Sequence, residues 1–426
     1  LQVKVPGGFA GVARSLSANR WRFEDIDEQL EFTPDILAPE TITKNGVAYV
    51  AVDAAKTIFD SRHDGPSYRI RKLPNNAGFR WESKGGGWRD YDANGKLTAR
   101  GHRGQTIQRI IRDGGNITGV ADRNSQQVLW ITTTGGKITA AQDTDPAQGD
   151  PTNRRVEYTW SGDNLTSVLD VRGYTTSFTY DVKGRVLTKT DANAKVWRVA
   201  YNSNGRVRSF TDPDGHADVY QFGYDKNNRQ FYASMTSPLG RVIERWFDEH
   251  GQLVRKAING TTVEKVTKNG NTRLVTDAKG RVTRREYDDW GNLLREVAPD
   301  LATTEYRYRA DAYHQPSYMR DPDGTVTEWT YDARGNRSSQ TEAVGTDVER
   351  QTTWQRAHPT NPDLVTSVTR VGDSNTLEAV TQFVYDANEN VVTNIAPEGG
   401  VSAVLSFDRA GDPLSVRDPR GQTWNR

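Results

Sequence analysis

An all-β repeat array of antiparallel hairpins is what this 426-residue sequence predicts, and three observations carry it. A two-part turn phrase returns at steps of 21 and 23 residues. Between the turns, apolar and polar residues alternate with a period of 2, and β-branched and aromatic types are enriched. The chain is 35% hydrophobic with a mean hydropathy of −0.78, yet it holds 11 Trp, 17 Tyr and 12 Phe. So many rings argue against disorder. An ordered chain with so lean an apolar supply suggests extended walls rather than thick cores.

The phrase reads Tyr-Asp-x-x-Gly. Tyr91-Asp92 leads to Gly95, Tyr180-Asp181 to Gly184 and Tyr201-Asn202 to Gly205, and Tyr224-Asp225 has Asn228 where Gly would stand. Phe247-Asp248 leads to Gly251, Tyr287-Asp288 to Gly291 and Tyr331-Asp332 to Gly335. Tyr385-Asp386 follows with Glu389, and Phe407-Asp408 with Gly411. Between Phe247 and Tyr287 the step is close to two periods, with a degenerate "KNGN" at 268–271; between Tyr331 and Tyr385 it is two periods plus the longer loop "RAHPTNPD". A second mark falls midway: "DVRG" ends at Gly173, "DPDG" at Gly215 and Gly324, "DAKG" at Gly280 and "DPRG" at Gly421. Asp bonds its own backbone two residues on, Pro presets φ, and Gly supplies φ > 0. Each unit is therefore one β-hairpin of ~21 residues, and self-similarity at a fixed period marks a repeat architecture.

Alternation places Thr176, Phe178 and Tyr180 on one face. It does the same for Trp197, Val199 and Tyr201; for Tyr220, Phe222 and Tyr224; for Thr327, Trp329 and Tyr331; and for Val401, Ala403, Leu405 and Phe407. Stacked hairpins are expected to bring the aromatics of successive phrases together as ring pairs. Residues 81–426 hold about 16 periods, hence roughly 32 strands, which at ~4.8 Å each would curl once into a hollow shell ~50 Å across. A β-propeller would put its signature in every second unit, whereas the units at 180, 201 and 224 carry it consecutively; a continuous spiral sheet is therefore expected. Residues 1–80 are less regular. "WRFEDIDEQLEFTPD" and "TITKNGVAYVAVDAAKTIF" read as atypical N-terminal strands or a small cap, preceding the repeat shell of 81–426.

Fifty-six basic residues balance 55 acidic ones, so no nucleic-acid footprint is expected. Cysteine is absent, which removes disulfides, thiolate metal sites and a Cys nucleophile. No apolar run approaches the ~18 residues of a membrane span. The start at Leu1 and the stop inside the repeat pattern, at "DPRGQTWNR", read as cuts from a longer protein.

Tyr-Asp-x-x-Gly-Arg followed by Asp-x-x-Gly, in about nine copies, resembles the YD repeat of Rhs proteins, the bacterial polymorphic toxins related to the B and C components of Tc toxin complexes and to teneurins. The resemblance covers at least residues 81–426. It implies a hollow spiral β-shell enclosing a C-terminal toxin polypeptide absent from this chain, secretion or cell-surface display of a bacterial parent, and a secretion-apparatus partner. In that family an aspartyl self-cleavage site lies in a "DPxGL" motif. Here Asp212, Asp321 and Asp418 open "DPDG" or "DPRG" without the following Leu and glycine-rich tail, so they read as turn residues.

No catalytic, cofactor or metal residue is expected. His63, His102, His216, His250, His314 and His358 lack metal-ligand spacing. The group Asp212–His216 lacks the further oxygen ligands of a calcium loop and reads as a turn. Gly85–Gly87 has no strand-to-helix context for phosphate and reads as a flexible hairpin loop. The regular aromatics read as packing before they read as a stacking platform. Nothing in the spacing of Ser and Asp groups a nucleophile with a base. The functional expectation is a structural container with a mixed polar inner wall that solvates its cargo without gripping it. The alternative is a cell-surface or carbohydrate-binding ectodomain, and an enzyme ranks last.

Overall fold

The computed structural model describes residues 1–17, 20–36, 39–150, 152–372 and 378–426. Strand occupies 58% of the chain, and among the described residues there is no α-helix. Two hairpins lead: β1 (Gln2–Val5) with β2 (Gly8–Gly11), and β3 (Ala13–Ser17) with β4 (Arg20–Glu24). Then one antiparallel ribbon of 37 strands runs from β5 (Glu31–Thr33) to Thr423–Asn425, each strand pairing with its sequence neighbours. The first strand pairs only with the second, and the last only with the one before it, so the ribbon is an open spiral.

The expected strand count holds: 32 strands lie between Phe79 and Asn425. Pairing runs on without a break through residue 80, where Lys72 faces Phe79.

The winding is tighter than the single curl expected. After β5 come β6 (Thr41–Lys44), β7 (Val47–Ala51), β8 (Ile58–Ser61), β9 (Gly65–Lys72), β10 (Phe79–Ser83), β11 (Gly87–Tyr91) and β12 (Leu97–His102). These eight close on themselves where Gln29 bridges Lys96, Leu30 N–H donates to the Gly95 carbonyl at 2.8 Å and Leu97 N–H to Glu28 at 3.0 Å. About eight strands enclose a space that side chains fill. Leu30, Ile42, Tyr49, Phe59, Ile70, Phe79, Tyr91 and Leu97 fill it, seven of them from β6–β12 and Leu30 from just before β5. The ribbon then widens. The same face of the strands from Ile107 to Val186 is covered by β1–β4, through Val3, Val5, Ala10, Val12 and Phe23. Beyond that the concave face is uncovered: among the described residues, 30 of the 33 buried apolar side chains precede residue 187.

A second coil then docks on the first. The hairpin tip at His250 meets that at His63, Trp290 meets Ser67 and Lys84, Gly335 meets Arg103, and Glu389 meets Arg123. These contacts span 17, 19, 21 and 23 strands, so one turn of the spiral grows as it winds. At ~4.8 Å per strand this is a shell of roughly 25–35 Å, not ~50 Å, because tip-to-tip docking fixes the radius that strand pairing alone leaves free. One face assignment also changes. The register shifts between Val404 and Phe407, so Leu405 is bulged and Phe407 leaves the face of Ala403.

Candidate functional surface: repeat tips, seam and inner wall

Each Asp of the phrase builds its own tip. The Asp181 carboxylate accepts the N–H groups of Lys183 and Arg185 at 2.9 Å, Gly184 N–H closes on the Asp181 carbonyl at 3.0 Å, and Gly184 takes φ 72°. This is a type I turn followed by a left-handed residue, a three-residue hairpin loop. Asp92, Asp248, Asp288, Asp332 and Asp408 repeat it.

The Tyr has a different task from the ring pairing expected of it. Among the described residues no ring pair joins the aromatics of two phrases. Instead the Tyr hydroxyl donates to a backbone carbonyl in or just before the preceding strand: Tyr201 to Val186 at 2.8 Å, Tyr385 to Val365 at 2.7 Å, Tyr180 to Leu165 and Tyr331 to Pro316. In all four the carbonyl lies two residues before the last ladder pair, where the antiparallel bonds have run out. Burial raises the pKa of all four phenols.

The seam is polar. Lys84 Nζ donates to the Trp290 carbonyl and Asn292 Oδ1, both at 2.9 Å. Arg103 donates to the Gly335 carbonyl at 2.8 Å and Arg409 to Asp143 at 3.3 Å. Asp363 accepts from Arg334 at 2.6 Å and Asn336 at 2.7 Å. Burial works against the Asp363 charge, yet these bonds carry its pKa below the usual carboxylate value. Tyr313 is wedged between two tips: a Cβ on Gly86 would lie 2.9 Å from its ring, and one on Gly335 2.5 Å.

Glu389 is the exception among the turns. It holds the glycine position at φ 63°, and its nearly buried carboxylate accepts Gly7 N–H at 2.6 Å and pairs with Arg123. The sequence marked this position only as a missing glycine.

Inside the first coil lies a buried charge cluster that the sequence did not reveal. Glu28 accepts the Tyr91 hydroxyl at 2.9 Å and lies 3.2 Å from Lys44 Nζ and 3.4 Å from Arg89. Desolvation lowers the Lys44 pKa and raises that of Tyr91. Its members come from β6, β11 and the segment before β5, with no sequence spacing to link them.

The structure scatters the six histidines. His63 and His250 meet at the seam, where His63 Nδ1 contacts the His250 carbonyl; His314 stacks on Trp290 with centroids 4.4 Å apart; His358 packs edge-on against Tyr385. His102 is exposed at the end of its strand, and partial desolvation of its ring lowers its pKa. Asp212, Asp214 and His216 do come together, within 4.8 Å, the one such group among the described residues. Asp212 is the turn-forming Asp of that tip, accepting Asp214 N–H at 3.0 Å and His216 N–H at 2.8 Å; Asp321 and Asp418 do the same in theirs. Gly85–Gly87 form a docking tip against Tyr313.

Strand register carries the concave face onward from the covered part: Phe178 faces Lys189, Lys189 faces Trp197, Val199 faces Phe210 and Tyr224 faces Phe231. Over these strands the inner wall is mixed, with Lys189 and Asp218 set among aromatic rings.

The RHS Repeat family model matches residues 160–196, 201–242, 267–308 and 311–347. The probable deoxyribonuclease RhsB of Dickeya dadantii is 27% identical over 186 residues, covering 42% of this chain and 13% of that protein. Human teneurin-1 is 23% identical over 315 residues, covering 63% of this chain and 11% of its own. The chain thus spans only about an eighth of the length of these relatives. The crystal structure of TcdB2-TccC3 aligns over 99% of this chain and 28% of its own, with 11% identity and a TM-score of 0.47. With family-model matches to four successive segments and tips built alike along the ribbon, the chain carries RHS repeats and is similar to Rhs/YD-repeat proteins.

Proposed function

We propose that this chain is wall from the shell of a secreted or surface-displayed bacterial toxin, enclosing a C-terminal toxin polypeptide of the same parent protein. One observation carries the reading: the concave face is filled with side chains where the spiral starts and is uncovered along the strands after residue 187. A sheet that coils on past its filled first turn and leaves the face after residue 187 unfilled has built an enclosure. The names of the relatives supply the cargo class: a probable deoxyribonuclease and a double-stranded DNA deaminase toxin. The wall itself acts as a structural element, and a secretion apparatus is the further partner. No helix among the described residues is long and apolar enough to cross a membrane.

The test is protease access. In the parent protein, the C-terminal polypeptide should survive trypsin at least tenfold longer than the same polypeptide expressed alone. Equal digestion rates would remove the container reading. The ectodomain alternative draws on the teneurin-1 match and predicts saturable binding of the isolated chain to glycans or cells.

A further inference from the structure

Phe210, Phe222, Tyr224 and Phe231 are between 38% and 49% exposed, high values for rings on the concave side of a wall. They sit on three adjacent strands, Val207–Thr211, Ala217–Asp225 and Gln230–Thr236. Alternation puts Phe222 and Tyr224 on one face of the middle strand, and Tyr224 pairs with Phe231 with centroids 4.9 Å apart. Large exposed apolar patches mark interaction sites more often than they are tolerated for nothing.

What covers the neighbouring wall indicates the occupant. The same concave face up to Tyr180 is covered by polypeptide, the β1–β4 hairpins. Trp21 stacks edge-on against Phe178 at 5.0 Å and donates its indole N–H to the Tyr180 hydroxyl at 2.8 Å. These hairpins insert every second residue, Val3 and Val5, then Ala10 and Val12. Two strands further on, the cover stops while the aromatic face continues.

We propose that the strip formed by Phe210, Phe222, Tyr224 and Phe231 is a docking surface for an extended polypeptide segment with alternating apolar side chains. This rests on the container reading and deepens it: the enclosed chain is held on the wall at this strip, as β1–β4 are held beside it, and is not merely solvated. Lys189 lies over Trp197 at 4.8 Å and Arg206 over Phe222 at 5.5 Å, so that side of the strip favours acidic neighbours on the bound segment, while Asp218 stands opposite Phe210 at the other end.

The probe is fluorescein-labelled, reduced and carboxymethylated α-lactalbumin, a permanently unfolded acidic polypeptide, titrated with the purified 426-residue chain and read by anisotropy. Native calcium-loaded α-lactalbumin and cellohexaose are the comparison ligands. Saturable binding of the unfolded probe is expected. It should weaken at least tenfold in F222S/Y224S/F231S and stay unchanged in W246S, whose ring pairs with Tyr232 on the opposite face. A benzophenone on the probe should crosslink wild-type chain within residues 207–236, which keeps the proposal testable if the triple variant misfolds. Absent binding, equal binding by the triple variant, binding only of cellohexaose, or crosslinks confined to the outer face would each overturn the docking surface. Protease protection in the parent protein could still hold in every one of those cases, so failure here is distinguishable from failure of the container reading.

Discussion

Replacing Glu389 with glycine restores the residue that the turn prefers, and it should weaken the protein. The left-handed backbone at φ 63° costs a non-glycine residue about 1 kcal/mol, which Glu389→Gly returns. The same change strips the carboxylate from Arg123 and from Gly7 N–H. Breaking a buried pair from one side costs about 3–5 kcal/mol. The Glu389 side chain is 4% exposed and Arg123 18%, so water recovers some of the arginine's share and the low end applies. The balance is a loss of about 2 kcal/mol, a roughly 30-fold shift in the local opening equilibrium between coils. Hydrogen exchange read by mass spectrometry on the first hairpin measures it, since the Gly7 amide is itself the donor. Exchange at Gly7 should quicken about 30-fold in Glu389→Gly. Glu389→Gln, which keeps an acceptor and loses the charge, should fall between. Unchanged or slower exchange in the glycine variant would mean that backbone strain outweighs the pair, and the reasoning would fail.

The opposite sign is expected where the left-handed residue makes no such contact. Leu301 at φ 71° is 79% exposed, and Leu301→Gly should stabilise its hairpin by about 0.5–1 kcal/mol, seen as slower exchange at the tip. Tyr201→Phe leaves the Val186 carbonyl without its donor and should cost about 1 kcal/mol of local stability, again by hydrogen exchange. Alkaline stability follows from the buried phenols. Burial raises Tyr91 and takes Tyr158 to about 12, so the folded chain keeps protons that the unfolded chain loses above pH 10. Their stabilisation is therefore present below pH 10 and declines as pH climbs from there, by about 2–3 kcal/mol for Tyr158 once both states are ionised. Far-UV circular dichroism melts between pH 8 and 12 check this, and a melting temperature that rises above pH 10 would contradict it.

Hairpins and strand number were legible because each unit carries its own instructions. Asp181, Gly184 and the alternating strand between Thr175 and Tyr180 act within one repeat, so the local sequence suffices. The winding was not legible, since it depends on contacts such as Ser67 with Trp290 and Arg103 with Gly335, 223 and 232 residues apart. The buried Glu28–Lys44–Arg89 cluster escaped for the same reason. The tyrosine phrase was recognised but its use was misjudged: ring pairing needs only proximity, whereas the hydroxyl's carbonyl target is defined by where the ladder bonds end.

The irregular steps of the repeat carry the winding in coded form. Consecutive units at 180, 201 and 224 show the phrase, but between 247 and 385 it falls on 247, 287, 331 and 385, every second unit, before returning one unit later at 407. Those four head the tips that dock on the first coil, at His63, Lys84, Arg103 and Arg123. From His63 to Arg123, each advance of one hairpin along the inner coil meets an advance of two along the outer coil. The tips in between cannot land in the same way and are shaped otherwise. The tip at 269–272 lines a seam cavity of about 420 Å³ with Ser67 and Lys84. Tyr313 fills the gap between Gly86 and Gly335, and the loop through Asn361 and Asp363 receives Gln105. A doubled signature that would argue for four-stranded blades in a propeller here records a ribbon overlapping itself. The spacing of the docking tips thus follows the overlap of one coil on another, and the tip at Glu389 docks although it lacks the glycine.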